Sequence, residues 1–446
     1  MSSNIRRLRR RAFSRRGFLQ SVGGTAAAAG SGFFSGAPEV LWGATAPRGA
    51  QDEPAPPGDM LDYRIELCTA REGFDRRTAR TCWAQSRAGV ILPGAAGNPG
   101  GRPLAIITTQ PLNLSGSDVY YGIHQMRSTD LGRTWSAPEP CPGLERRRVS
   151  DQVEVALCDL TPKWHAASRR LLGTGHTAWY RGNRLMPGRP RETGYTAFDP
   201  ATGEWSAWQT LAMPDRPEFK NAGAGCTQRI DLPDGRILLP VYFKRPDERC
   251  YSVAVLRCRF DGTTLEYLDH GDELKHDVPR GFAEPSLTKF GGRFFLTLRN
   301  DVRGYVTSGP DGLKFDEPRP WTFDDGSELG NYNTQQHWVT HSDGLFLVYT
   351  RRGASNDHVF RHRAPLFIAR VDTERLCVVR STERVLVPER GTRIGNFGVA
   401  DFTPEETWVV TTEWMQPPGV EKHGSANRIY VTRLHWTRPN RLFGGQ

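Results

Sequence analysis

The chain has 446 residues and a formal charge of +10, with 10% aromatic residues, 47 glycines and 32 prolines. That length buries a sizeable core, while the abundant Trp, Tyr, Phe and turn residues and the lack of long Ala/Leu/Glu/Lys runs exclude a helix-rich fold. Seven arginines between Arg6 and Arg16 face one acid, Glu39, in residues 1–46. Most of the basic excess is therefore an N-terminal address, and the mild remainder suits an anionic ligand without supporting nucleic-acid binding.

The address begins at Ser14–Gln20, "SRRGFLQ", and continues as a Gly- and Ala-rich apolar stretch from Val22 to Ala37. Adjacent arginines ahead of a short, glycine-broken apolar run resemble a twin-arginine export signal, expected over residues 1–46. The run is poorly suited to a permanent membrane span, and export implies a periplasmic or extracellular protein. Residues 47–60, rich in proline and charge, read as a linker. Folded structure is expected over residues 61–440.

From there one strand pattern recurs, a turn followed by an apolar and aromatic run: "GGRPLAIITTQ" from Gly100, "SRRLLGTGHTAWY" from Ser168, "DGRILLPVYFK" from Asp234, "GGRFFLTLRN" from Gly291, "DGLFLVYTRR" from Asp343 and "EETWVVTTEW" from Glu405. A spacing of roughly 50 to 70 residues leaves room for about four short strands per unit. Six such units predict an all-β, six-bladed β-propeller, with these apolar runs as the innermost strands and their polar ends lining a central funnel. Two unrelated β-sandwiches are the competing architecture.

Arg127–Ser136 reads "RSTDLGRTWS". Asp130 is placed to accept backbone N–H bonds of the turn, Gly132 to supply a positive φ, and Trp135 to open the next strand with its ring in the core. Looser relatives stand at Phe198–Ser206, "FDPATGEWS", and Ser308–Phe315, "SGPDGLKF". The ordered spacing resembles the Asp box, Ser-x-Asp-x-Gly-x-Thr-Trp, of the sialidase superfamily, whose six-bladed propellers carry these turns on the rim, away from the active site.

That resemblance implies specific site residues. Sialidases grip the substrate carboxylate with three arginines, use an Asp as acid/base, and attack with a Tyr paired to a Glu. Arginine suits the grip because its planar fork bonds a carboxylate bidentately. Arg87 in "SRAGVILP" is similar to the first arginine, Glu284 and Arg299 in "AEPSLTKFGGRFFLTLRND" to the family's Glu and second arginine, and Arg363 to the third, with Arg361 as runner-up. Asp118, nine residues before Arg127, stands at the place of the acid/base Asp. In "GNFGVADFTPEETWVVTTEW", aligning the final Glu with Glu413 places Phe397 where the nucleophilic Tyr belongs. Phenylalanine has no oxygen, so a tyrosyl intermediate would not form there.

Three functions follow from these residues. Asp118 and Glu284 would hydrolyse a glycoside directly, one activating water and the other protonating the leaving oxygen. Alternatively, arginines would neutralise a uronate carboxylate while a His or Tyr drives elimination, with His176, Tyr180, Tyr120, His124 and His337 as candidates. The third reading is a non-catalytic, lectin-like propeller. His176, Asn221 and Gln228 are further sugar-binding candidates, the last two within "FKNAGAGCTQR". The eight cysteines lack CxxC spacing or a His cluster, so no metal and no cofactor is expected. The first expectation is a sialidase-like hydrolase of an acidic glycan.

Overall fold

A computed structural model describes residues 61–114 and 118–444, so the expected export signal and linker lie outside the described residues. The described residues belong to one compact unit, Pro56–Gln446. Among the described residues, strand-forming side chains between glycine-marked turns produce six antiparallel sheets, and helix is limited to short 3-10 turns.

The first sheet joins Thr81–Ile91, Leu104–Asn113 and His124–Ser128. The second joins Val153–His165, Arg170–Arg181 and Thr193–Asp199. In the third, two short pieces, Ala222–Gly223 and Ile230–Asp231, pair with Arg236–Phe243, which is followed by Ser252–Phe260 and Leu265–His270. Ala283–Phe290, Arg293–Arg299 and Tyr305–Gly309 make the fourth, and His337–His341, Gly344–Tyr349 and Leu366–Asp372 the fifth. The sixth takes strands from both ends of the chain: Phe397–Thr403, Glu406–Thr412 and Ile429–Trp436 are joined by Tyr63–Arg71, in register from Tyr63 opposite Trp436 to Thr69 opposite Tyr430.

The recurring apolar runs are not the innermost strands, contrary to the sequence expectation. Each is the second strand of its sheet, paired along both edges; in Glu406–Thr412 every residue is buried. Two covered faces explain an unbroken apolar run. The first strands instead contact one another around a ring. Arg87 donates to the Leu160 carbonyl (3.5 Å), Cys226 N–H to Asp159 O (3.3 Å) and Leu287 N–H to Gln228 O (3.1 Å). Ser286 meets His337 Nδ1 at 2.6 Å, the Gln335 amide donates to Phe397 O, and Arg87 Nε closes the ring on the same carbonyl at 3.2 Å. The arrangement is β-propeller-like, with five blades delineated in it.

The "RSTDLGRTWS" turn is fixed by its own side chains. Asp130 accepts from Thr134 N (2.9 Å), Thr134 Oγ1 (2.6 Å) and Ser128 Oγ (2.9 Å). These bonds, the Thr134 hydroxyl first, hold its carboxyl down to about 2. Gly132 has φ +77°. Trp135 lies ahead of the short Glu139–Pro140 strand and is only half-buried, edge-on to Trp408 at 6.0 Å, so it flanks the core and does not begin the strand. All eight cysteines are free, and six of them are buried. No helix among the described residues is long and apolar enough to cross a membrane.

Candidate active site

Bulges in the ring strands turn side chains toward one cleft. The pairing register breaks between Ala84 and Arg87, Cys158 and Thr161, and Ala283 and Ser286. At each break one residue adopts a left-handed backbone: Gln85 (φ 59°), Asp159 (φ 55°) and Glu284 (φ 45°). Cys226 (φ 56°) does so in the gap of the divided third-sheet strand, and Asn333 (φ 56°) ahead of the fifth. A bulge re-aims a side chain, and left-handed geometry costs a non-glycine residue about 1–2 kcal/mol. Gln85, Asp159 and Glu284 all line the same cleft, of about 130 Å³.

Seven arginines (Arg189, Arg191, Arg280, Arg299, Arg361, Arg363 and Arg393) and three carboxylates (Asp118, Asp159 and Glu284) line it. Arg299 pairs with Glu284 and also donates to Asp301 (3.3 Å) and Asn333 Oδ1 (3.0 Å). Arg363 donates to Asn333 O and to Asn396 Oδ1 (3.3 Å). Arg191, Arg280, Arg299, Arg363 and Arg393 each retain a buried Nε–H with no acceptor among the described residues. Buried donors left unmade are costly, and they outnumber the unmet acceptors of the lining, Gln85 Oε1 and Asp159 Oδ1.

The electrostatics follow from that excess. Burial, reinforced by neighbouring Arg299, pulls the Arg363 guanidinium down to about 9. Burial pushes the Asp118 carboxyl up, but the charges of Arg189 (3.2 Å away), Arg393, Arg363 and Arg280 outweigh it and hold the group below its ordinary value. Burial raises Asp159 to about 6, helped by the Glu284 and Asp118 charges against the opposing pull of Arg87. Two carboxyls in one cleft are thus driven apart, one held ionised and the other able to carry a proton near neutrality.

Among the residues singled out in the sequence, Asp118, Glu284, Arg299, Arg363 and His176 line the cleft, as does Arg361. Arg87 does not. It is fully buried within the ring, where it bonds Phe397 O, Leu160 O, Cys226 Sγ and Gln335 Oε1. The bulge gives the lining position to Gln85 instead. Asn221 ends the short Pro217–Asn221 turn outside the lining, and Gln228 clasps the Trp338 backbone in both directions (2.7 and 3.0 Å).

Tyr180 supports the site from behind, donating to the Asp118 carbonyl and accepting from Tyr120 N–H, both at 3.0 Å. Tyr120 itself lines the cleft, whereas His124 does not and His337 is buried in the ring. Phe397 is also fully buried, and its neighbour Asn396 reaches the lining.

Sequence reasoning missed Asp159, Arg189, Arg191, Arg280, Arg393 and Tyr242, all of which line the cleft. Asp159 alone left a legible signal, a single acid inside the apolar run "VALCDL" from Val155 to Leu160. A larger cavity of about 710 Å³ opens at the other end of the ring strands. Its Arg229 is paired with Asp231 at 2.9 Å and its Lys163 with the Arg229 carbonyl at 3.1 Å, so its cations are already satisfied by protein.

No protein-family model and no curated protein matches the sequence. Solved structures do. A Trypanosoma rangeli sialidase in complex with sialic acid superposes with a TM-score of 0.53 at 12% identity, over 85% of this chain and 59% of that one. A phage phi92 endosialidase gives 0.52 at 12%, over 84% and 69%. A variant of the NanB sialidase from Streptococcus pneumoniae gives 0.53 at 10%, over 81% and 70%. The chain thus spans under two thirds of the length of the trypanosomal enzyme, and the likeness establishes its fold as a sialidase-like β-propeller.

Proposed function

We propose that the protein is an exported, sialidase-like glycoside hydrolase acting on an acidic glycan, whose carboxylate sits among Arg299, Arg363 and their neighbours. The observation that carries this reading is the set of seven arginines facing three carboxylates around one small cleft. A carboxylate supplies the missing charge and accepts from the outer guanidinium nitrogens. The ligands of the neighbouring structures, sialic acid among them, are consistent with such an anion.

In this reading Asp118, kept ionised by the arginines, activates water, and protonated Asp159 supplies the leaving oxygen with its proton. Glu284 is tied to Arg299, and its role becomes one of orienting that guanidinium. Each of the six sheets is read as one blade, an assignment supported by the closed ring of contacts between their first strands. The export signal over 1–46, the linker over 47–60 and the catalytic propeller over 61–440 complete the proposal.

The test is hydrolysis of an aryl sialoside and of a panel of uronate glycans by wild type and Asp118→Asn. Release of the aglycone or of reducing ends, lost in the variant, supports hydrolysis. Binding without any release by wild type would reduce the protein to a lectin.

A further inference from the structure

One wall of the cleft carries a phenol and an imidazole that hydrolysis leaves unused. Tyr242, on the second strand of the third sheet, places its hydroxyl 3.4 Å from His176 Nδ1, on the second strand of the second sheet. The rings meet edge-on at 6.3 Å, and Asp159 Oδ2 lies 3.5 Å from the same nitrogen. The Arg191 guanidinium stands 4.6 Å from the centre of the Tyr242 ring. All four side chains line the cleft.

The backbone is built around this imidazole. A Cβ on Gly223 would lie 2.6 Å from His176 Cβ, and one on Gly225 only 1.8 Å from His176 Nδ1. Neither glycine has a positive φ. The space of the ring, and not a turn, excludes a side chain at Gly225, while Gly223 is closed first by Arg191 Cδ, 2.4 Å from its added Cβ. The second ring nitrogen, Nε2, bonds no group among the described residues.

We infer that His176 and Tyr242 form a base and acid couple that opens uronate glycans by β-elimination in this cleft. The inference rests on the carboxylate grip proposed above and extends it to a second reaction. The arginines draw charge from the uronate carboxylate and so acidify the hydrogen on the carbon that carries it. His176 Nε2 removes that hydrogen as a proton. The electron pair of the broken C–H bond becomes a ring double bond, and the bond from the adjacent carbon to the glycosidic oxygen breaks with its pair on oxygen. Tyr242 protonates that oxygen, the imidazolium returns a proton to the phenolate across the Nδ1 contact, and proton exchange with solvent moves the remaining ring proton from Nε2 back to Nδ1. Water, oxidant and reductant are not consumed.

The protonation states agree with these roles. Burial, then the Arg191 and Arg189 charges, hold the His176 imidazole well below its ordinary range, leaving it neutral and able to accept. Burial raises the Tyr242 phenol despite Arg191, so it keeps the proton it must donate.

The full chain is incubated with polygalacturonate and with glucuronan, following the ultraviolet absorbance of the conjugated unsaturated uronate together with reducing ends. Both signals are expected to grow in step. His176→Gln and Tyr242→Phe should each lower the absorbance rate by roughly a hundredfold while keeping the wild-type melting profile and galacturonate binding. Reducing ends without absorbance overturn elimination and leave the carboxylate grip intact. Unchanged absorbance rates in both variants overturn the roles of these residues, and failure to bind either polymer overturns the grip and the inference together.

Discussion

Phe397 sets its ring edge-on to His337, with centroids 5.0 Å apart and planes at 75°, and neither residue has exposed surface. Both His337 nitrogens are engaged, one with Ser286 and the other with Gln335. The position at which the sialidase resemblance expects a nucleophilic tyrosine is therefore core. Phe397→Tyr should bury a hydroxyl without a partner and cost about 1–3 kcal/mol. Thermal unfolding measures that loss, and turnover of an aryl sialoside should not rise.

Gly132 is required twice over. Its φ of +77° suits only glycine without strain, and an added Cβ would lie 2.7 Å from Cη2 of the fully buried Trp408. Gly132→Ala should destabilise by about 2 kcal/mol. Because the turn is outside the cleft lining, activity per folded molecule should be retained, which denaturant titration and assay together check.

Asp159 titrates near 6 in the fold, above its ordinary 3.8. The folded state binds this proton more tightly than the unfolded chain, so the contribution to stability is present below about pH 4 and is lost as pH rises through about 6. Two units correspond to about 3 kcal/mol. Asp159→Asn should therefore melt higher than wild type at pH 8, with the advantage shrinking toward pH 4, roughly where both states are protonated. A series of melting curves against pH reads the crossover.

Arg363 is a buried cation lowered to about 9, crowded by Arg299. Met relieves the buried, crowded charge, a gain that outweighs the donor lost to Asn333 O and Asn396 Oδ1. Arg363→Met should melt higher and bind carboxylate sugars more weakly, a trade of stability against function. Loss of both stability and binding would make Arg363 a structural residue.

Gly225→Ala should displace the His176 imidazole, since the new Cβ would overlap its Nδ1. Elimination should fall by at least tenfold, with rescue by a second change, His176→Ala, absent because the base itself is gone. Unsaturated-product assays on the two variants decide it.

The fold was legible because its signals are local and repeated. Each second strand advertises itself by burial on both faces, and Ser128, Asp130, Gly132 and Thr134 make a self-contained turn whose chemistry depends on these four residues. Glu284 and Arg299 were legible for the same reason, since they end adjacent strands of one hairpin, Ala283 opposite Arg299. Arg87 was misplaced because one bulged residue shifts the pairing and hands the cleft position to Gln85, which no hydrophobic pattern announces. Arg189, Arg191, Arg280 and Arg393 reach the cleft from loops between strands, where periodicity carries no information.

Recognition of a carboxylate by the cleft is measured by calorimetric titration with a carboxylate sugar and its methyl ester. Removing the charge should weaken binding by roughly tenfold to a hundredfold, the value of one charge-assisted hydrogen bond or more. Arg363→Met should narrow that difference, with Arg299 and its neighbours keeping part of it. Equal affinity of wild type for the two would rule out carboxylate recognition.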